Sequence, residues 1–292
     1  MNRSGYRTVG FCGQYVTIIY SGLDAEALVD FLCIDLPAPT DLIVSEQCIY
    51  NIAITRKNKI IFLHRGEELL YFGQCRYSLA YVLINDIIYQ LIADNDYGHA
   101  IHAAAVMYND GCLLLPGKSG TGKSTLTSWL VSRGCHYLTD ELIIIRNGDR
   151  RVYPFTRPIN IKAGATTAVS SFLTVDKKRI LVGQTGFMSP HRLINTDFSL
   201  VYPSLSHILF PEYKTAVPAK VTRITSAEGC LKLMGCYVNA RNFRKHGISK
   251  MAAMVRNIPF YKLTYGSFDD LTLILSAYFP GIFKNERAKK CT

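Results

Sequence analysis

Two rhythms of apolar and polar positions run along the chain. Period-two runs rich in β-branched and aromatic residues predict strands at Val16–Ser21, Ile49–Thr55 and Ile60–His64. Between the first two, Asp24–Cys33 carries apolar residues at 25, 28, 29 and 32, the spacing of one helical face. Leu36-Pro-Ala-Pro39 then breaks the pattern, and Ser78–Ala93, apolar on most sides, predicts a packed helix. From Tyr97 the spacing changes. Ile101–Tyr108 and Cys112–Pro116 flank Asn109-Asp110-Gly111, a hairpin turn, and Leu142–Arg146 with Arg151–Phe155 flank Asn147-Gly148, a second one. Near the end, Ser267-Phe-Asp-Asp270 forms a capping-box pattern ahead of a helix over Leu271–Phe279, with Pro280 as its stop. No internal repeat or low-complexity stretch interrupts these elements.

Composition narrows the class. Of 292 residues, 49% are hydrophobic and 19% charged, a globular balance and not a disordered one. No apolar run reaches the roughly 18 residues that a membrane-spanning helix needs, and the N-terminus lacks the apolar core of a secretory signal. A cytoplasmic protein with no membrane partner is expected. The nine cysteines include no Cys-x-x-Cys pair, so buried, reduced thiols are expected in place of a metal cage or a disulfide framework. The net charge of +11 is uneven: residues 1–95 hold 7 Lys/Arg against 10 Asp/Glu, while residues 96–292 hold 26 against 12. The basic part should meet an anion. No nucleic-acid motif accompanies the charge, so nucleic acid is not the expected partner.

The charge finds its chemistry at Gly117-Lys118-Ser119-Gly120-Thr121-Gly122-Lys123-Ser124, a complete Gly-x4-Gly-Lys-Ser phosphate loop. Its context fits. Cys112–Pro116 is a buried-strand run directly before it, Leu126, Trp129 and Leu130 share a helical face after it, and Gly134 is placed to end that helix. Glycines let backbone amides curl around phosphate oxygens, and a helix N-terminus adds partial positive charge. Gly117 through Ser124, with Thr125, would thus hold a nucleoside triphosphate, Lys123 reaching its β- and γ-phosphates and the Ser124 hydroxyl ligating Mg2+.

Seventeen residues after Lys123 stand two adjacent carboxylates, Asp140 and Glu141, at the end of a short apolar run. One can complete a metal shell while the other takes a proton from an attacking hydroxyl, the division of labour that phosphoryl transfer requires. His102 lies on the strand expected to pair with the one entering the loop. It is either a satisfied core residue or a group beside the γ-phosphate. His99 has less reason to point inward. The basic clusters Lys177–Arg179, Arg241–Lys250 and Arg287–Lys290 read as solvated faces.

His102 fifteen residues before the loop, the loop itself, and Asp140 seventeen after Lys123 resemble the core of HPr kinase/phosphorylase. The loop and the Asp-Glu pair are also similar to those of ATP-dependent phosphoenolpyruvate carboxykinase, for which this chain is too short. The likeness is greatest to HPr-kinase-like proteins, with His102-Ala-Ala-Ala105 before the loop and Leu138-Thr-Asp-Glu141 after it, some of which phosphorylate a serine of a precursor peptide, as the lasso-peptide kinases do. It covers approximately residues 97–165. It implies an α/β fold: a phosphate-loop domain with a mixed sheet over residues 96–292, and a small α/β module for recognition or assembly over residues 1–95. It further implies Asp140 as general base, Glu141 as metal support and His102 as lining of the phosphate site. The Glu-Ile-Arg-Gly-x-Gly signature of true HPr kinases is missing. Pro154-Phe-Thr-Arg157-Pro-Ile-Asn-Ile-Lys162 stands in its place, so HPr is not the expected acceptor. Arg157 and Lys162 become candidates to clamp a phosphoryl oxygen or an acidic group of the acceptor. Arg157 could equally cover a strand edge.

The expectation is an ATP- and Mg2+-dependent kinase that phosphorylates a hydroxyl, foremost a serine of a peptide or protein. A kinase for a sugar or amino-acid hydroxyl and a nucleotide-sensing module with little turnover stand as alternatives. Whether the chain forms a homo-oligomer is left open.

Overall fold

A computed structural model describes residues 4–36, 48–55, 57–174, 176–194 and 198–283. The Pro37–Pro39 stop signal, the Arg287–Lys290 cluster and Cys291 fall outside them. From the N-terminus run β1 (Ser4–Phe11), β2 (Gln14–Ser21), α1 (Leu23–Cys33), β3 (Cys48–Ile54), β4 (Ile61–Arg65), β5 (Glu68–Gly73) and α2 (Arg76–Ile92). Next come β6 (Gly98–Tyr108), β7 (Gly111–Pro116), α3 (Lys123–Ser132), β8 (His136–Thr139), β9 (Leu142–Arg146) and β10 (Val152–Pro154). Then follow β11 (Ile159–Lys162), α4 (Thr166–Ser170), β12 (Leu181–Gly183) and β13 (Gly186–Ser189). The chain continues with β14 (Ser204–Tyr213), β15 (Lys220–Ile224), α5 (Ser226–Met234), α6 (Ile248–Met254), β16 (Phe260–Tyr265) and α7 (Leu271–Tyr278). This is a mixed α/β protein.

The chain divides into two compact units, Met1–Asn95 with Thr156–Thr166 and Val175–Pro190, and Asp96–Phe155 with Thr167–Thr174 and His191–Thr292. The first holds a five-stranded sheet in the order β1-β2-β3-β4-β5 and a three-stranded one, β11-β13-β12. The predicted helical face at 25, 28, 29 and 32 is buried along α1. On α2, Leu79, Ala80, Leu83, Ile84 and Ile87 are buried while Tyr81 and Tyr89 stay exposed, so the packed helix that the sequence predicts is present and buries one face.

The second unit is built on an eight-stranded mixed sheet, β10-β9-β6-β7-β14-β16-β15, with β8 also paired to β6. The predicted hairpin is present: Tyr108 pairs with Gly111 across Asn109 and Asp110, which both take the positive φ of a tight two-residue turn. The β7–β14 and β14–β16 pairs are parallel. Ile101, Ala103, Ala105, Cys112 and Leu114 turn one face of the sheet onto a core with Leu233 of α5 and Met251 of α6. Strand alternation sends the intervening residues of β6, His102 among them, to the other face. The capping box does not form. α7 starts at Leu271 after Asp270, which makes no side-chain cap.

The eight cysteines among the described residues are free thiols, but only Cys33, Cys112, Cys135 and Cys236 are fully buried. No helix of the described residues is long and apolar enough to cross a membrane.

Candidate functional site

β7 ends at Pro116, opposite Ala103, and the loop 117–122 leaves the sheet there to enter α3. Gly120 and Gly122 take φ of 91° and 92°, a region open to glycine and strained for other residues. At Gly122 a side chain would also collide with the Tyr265 hydroxyl. The Thr121 hydroxyl donates to the Lys118 carbonyl at 3.0 Å and folds the loop back on itself. At the far end of α3, the Gly134 amide bonds to the Val131 carbonyl and the Cys135 amide to that of Leu130. With Gly134 at φ 100°, this is the glycine stop the sequence predicted.

Lys123, nearly buried, turns its ammonium onto the loop. It donates to the carbonyls of Gly117 at 2.6 Å and Lys118 at 3.1 Å, and contacts His102 Nε2 at 3.2 Å. An ammonium has donors only, so Nε2 accepts and the ring proton sits on Nδ1. Nδ1 lies 3.0 Å from Glu141 Oε1 and donates to it. Glu141, His102 and Lys123 thus form a chain of charge and proton across 39 residues of sequence. His102 is the bridge, and not a core filler.

The acidic pair is set by backbone geometry. Thr139 pairs with Ala105 and Leu142 with His102 on the same edge of β6, so Asp140 and Glu141 lie across from Ala104 and Ala103. The Ala103 amide donates to the Glu141 carbonyl at 3.1 Å. The buried Thr139 hydroxyl donates to the Phe155 carbonyl at 2.7 Å and accepts from the Glu141 amide at 3.2 Å, which fixes the bend carrying both carboxylates. The two differ in environment. Asp140 is buried, with the Tyr137 hydroxyl donating to Oδ1 at 3.3 Å, and Tyr137 in turn stacks on His191. Glu141 keeps about a quarter of its side chain exposed.

Several neighbours had no sequence signal. The Tyr213 amide donates to the Thr121 carbonyl at 3.2 Å and the Tyr265 hydroxyl to that of Gly122 at 3.3 Å, bracing the loop from β14 and β16. The segment 236–239 closes the edge of β6 that β7 leaves open: the His102 amide bonds to the Cys236 carbonyl and the Ala100 amide to the Asn239 side chain. Burial pushes the Cys236 thiol up, while Lys123, the Gly117 amide and Lys118 act in the opposite sense. That thiol therefore sits against the loop. His99, which by sequence has less reason to point inward, is buried against Tyr237 and Phe243.

Arg157 and Lys162 belong to the first compact unit, Arg157 buried and Lys162 exposed at the end of β11. Arg241, Arg244, Lys245 and Lys250 are exposed, as expected of a solvated face. Among the described residues no cluster of three or more His, Cys, Asp or Glu could hold a metal ion by itself. Ser124 and Glu141 offer a hydroxyl and a carboxylate, oxygens of the kind that Mg2+ prefers, and Mg2+ binds through few protein ligands when substrate phosphates supply the rest.

No protein-family model matches the chain, and no curated protein matches its sequence. Among solved structures, the Hpr(Ser) kinase/phosphatase from Coxiella burnetii aligns with 61% of this chain and 91% of its own, at 12% identity and a TM-score of 0.29. A likeness at that level fixes neither the fold nor the reaction of this chain.

Proposed function

We propose that the chain is a kinase that transfers the γ-phosphoryl group of ATP to a hydroxyl, a serine of a peptide or protein before any other. The observation that carries the reading is the Lys123 ammonium held on two loop carbonyls and joined through His102 to Glu141. An anionic phosphate oxygen is a better acceptor for the ammonium than a neutral carbonyl, so these bonds can be exchanged for bonds to phosphate. The amides of Gly117 to Thr125 would cradle the triphosphate, with the N-terminus of α3 adding its partial charge. Ser124 and Glu141 would hold Mg2+, which when bound neutralises charge developing on the β- and γ-oxygens.

In the transfer, the acceptor oxygen forms a bond to the γ-phosphorus, the bond from that phosphorus to the ADP oxygen breaks, and the hydroxyl proton passes to Asp140 Oδ. Burial of Asp140 keeps water from competing for that proton. His102 holds Lys123 and Glu141 in register. The first compact unit would serve recognition or assembly.

Radiolabelled ATP incubated with enzyme and cell extract, then sorted into peptide and small-molecule fractions, tests the acceptor class. Label in peptides supports the reading, label in small molecules supports a metabolite kinase, and ATP binding without ADP release supports a sensor. Asp140→Asn should bind ATP as before and lose transfer by about 10²–10⁴-fold. Glu141→Gln should raise the Mg2+ concentration needed. If the two variants exchange these effects, the two carboxylates exchange roles.

A further inference from the structure

Helix α5 separates two hollows of the second unit. The first, about 450 Å³, opens beside the loop between Gly117, Lys118 and Thr121 on one side and Phe210, Pro211 and Cys236 on the other. The second, about 1080 Å³, lies between α5, the end of α6 and the start of β16, floored by Met234, Val255, Ile258 and Phe260. One side chain lines both: Leu231, 71% exposed on the ridge of α5.

The walls are cationic in net charge, although Lys232 reaches Glu228 of α5 at 3.9 Å. Lys118, Lys232 and Lys262 line the first hollow against one carboxylate, Glu212. Glu212 is already held by Lys214 at 2.9 Å and Lys262 at 2.8 Å, which keep its carboxyl down at about 2. Arg223 and Arg256 rim the second hollow, both exposed, and among the described residues neither guanidinium has an ion-pair partner. An apolar floor and ridge with an unmatched cationic rim calls for an occupant that is apolar and acidic by turns.

We infer that this track is the acceptor's docking site, and that the acceptor is an extended peptide with alternating apolar and acidic residues. The identification of the occupant as acceptor rests on the kinase reading; the chemistry of the track does not. A small acceptor would fill the first hollow alone, whereas an extended chain uses both and covers Leu231. The nine residues of α5 rise about 13 Å, a span that about four extended residues cover. The hydroxyl residue sits beside Lys118, the following residues cross Leu231, and acidic side chains meet Arg223 and Arg256.

The test uses the full chain and a fluorescein-labelled decapeptide with one serine followed by alternating leucine and aspartate, beside a twin with lysine for aspartate. Fluorescence anisotropy should show binding of the acidic peptide only. Leu231→Asp and the double change Arg223→Glu with Arg256→Glu should each weaken it by about tenfold or more, while affinity for a fluorescent ATP analogue stays unchanged. Equal binding of both peptides, binding of neither, or variants that bind as tightly as wild type would overturn the inference. So would light scattering in which Leu231→Asp splits a dimer, since the ridge would then be an interface between copies. A chain that binds the acidic peptide but not the ATP analogue loses the kinase reading and keeps the track. The converse result loses only the track.

Discussion

His99 and His102 stand three residues apart on β6 and live in opposite surroundings. His99 stacks on Phe243 at 5.0 Å, meets Tyr237 edge-on and bonds to its hydroxyl at 2.7 Å. Burial, and then the charge of Lys250, push its pKa down to about 4. His102 stands on the other face between an ammonium and a carboxylate, at the point where β7 ends and the loop begins. An aromatic cage with a single hydrogen bond keeps an imidazole uncharged and still. A junction of charges at a strand end gives an imidazole something to couple. Residue type and strand position are nearly the same, so the difference lies in what the rest of the chain brings to each face.

The sharpest way to break this contrast is to delete each ring. His102→Ala should lower transfer by about 10²-fold, because Lys123 and Glu141 lose the group that spaces them. His102→Gln, which can still accept from Lys123, should recover part of kcat at an unchanged KM for ATP. His99→Ala should leave turnover per folded molecule within about threefold and cost about 2–4 kcal/mol of stability instead, as other large-to-small changes in cores do. Equal losses of turnover from both alanine variants would erase the distinction.

What was legible in the sequence follows the same line. The phosphate loop, the Asn109-Asp110 turn and the Gly134 stop are local, each written in a few consecutive residues whose backbone needs are specific. β14 and β16, inside the mixed sheet, went unpredicted, and so did β1 and β5, the two edges of the five-stranded sheet. The residues of those two edges are half exposed, and edge exposure mutes the alternation that marks a strand. The inward turn of His99 was illegible because Tyr237 lies 138 residues away, and the Tyr265 brace on Gly122 is 143 residues away. A place for His102 beside the phosphate was one of two open readings, and its bridge to both Lys123 and Glu141 had no sequence signal. The failed capping box at Ser267 shows the reverse, a local signal that the chain does not use.

A polar network in the first unit extends the comparison. Asp86 accepts from the Tyr50 hydroxyl at 2.6 Å and from Arg65 at 2.8 Å, and burial together with the Asp86 bond pushes the Tyr50 hydroxyl pKa up. Donors and acceptor are matched there, with no exchangeable backbone bond and no histidine bridge, so the network reads as structural. Asp86→Ala should cost about 1–2 kcal/mol in urea unfolding, because it takes away the acceptor of the Tyr50 hydroxyl while Arg65 keeps its bond to Glu68. Affinity for an ATP analogue should not change. A loss of nucleotide affinity greater than the loss of folded protein would tie this network to function after all.

The smallest effect is also the most direct reading of the His99 cage. Its folded pKa of about 4 lies below the ordinary 6.5, so between those values the unfolded chain binds more protons than the folded one. Stability therefore rises with pH across that window, is fully present above about 6.5, and is lost as pH falls toward 4. From pH 6.5 down to about pH 5 the loss should reach roughly 2 kcal/mol, at about 1.4 kcal/mol for each unit. His207, also lowered by burial, adds to the slope in the same sense, and Glu212, Asp24 and Asp149, all held down in the fold, add theirs below about pH 5, where the carboxylates of the unfolded chain begin to take up protons. Urea midpoints measured at several pH values for wild type and His99→Gln isolate the contribution. The variant starts lower but should have a flatter slope in this range, since glutamine takes up no proton. Parallel slopes for the two proteins would mean that the ring is not the group the cage holds uncharged, and the contrast with His102 would then rest on contacts alone.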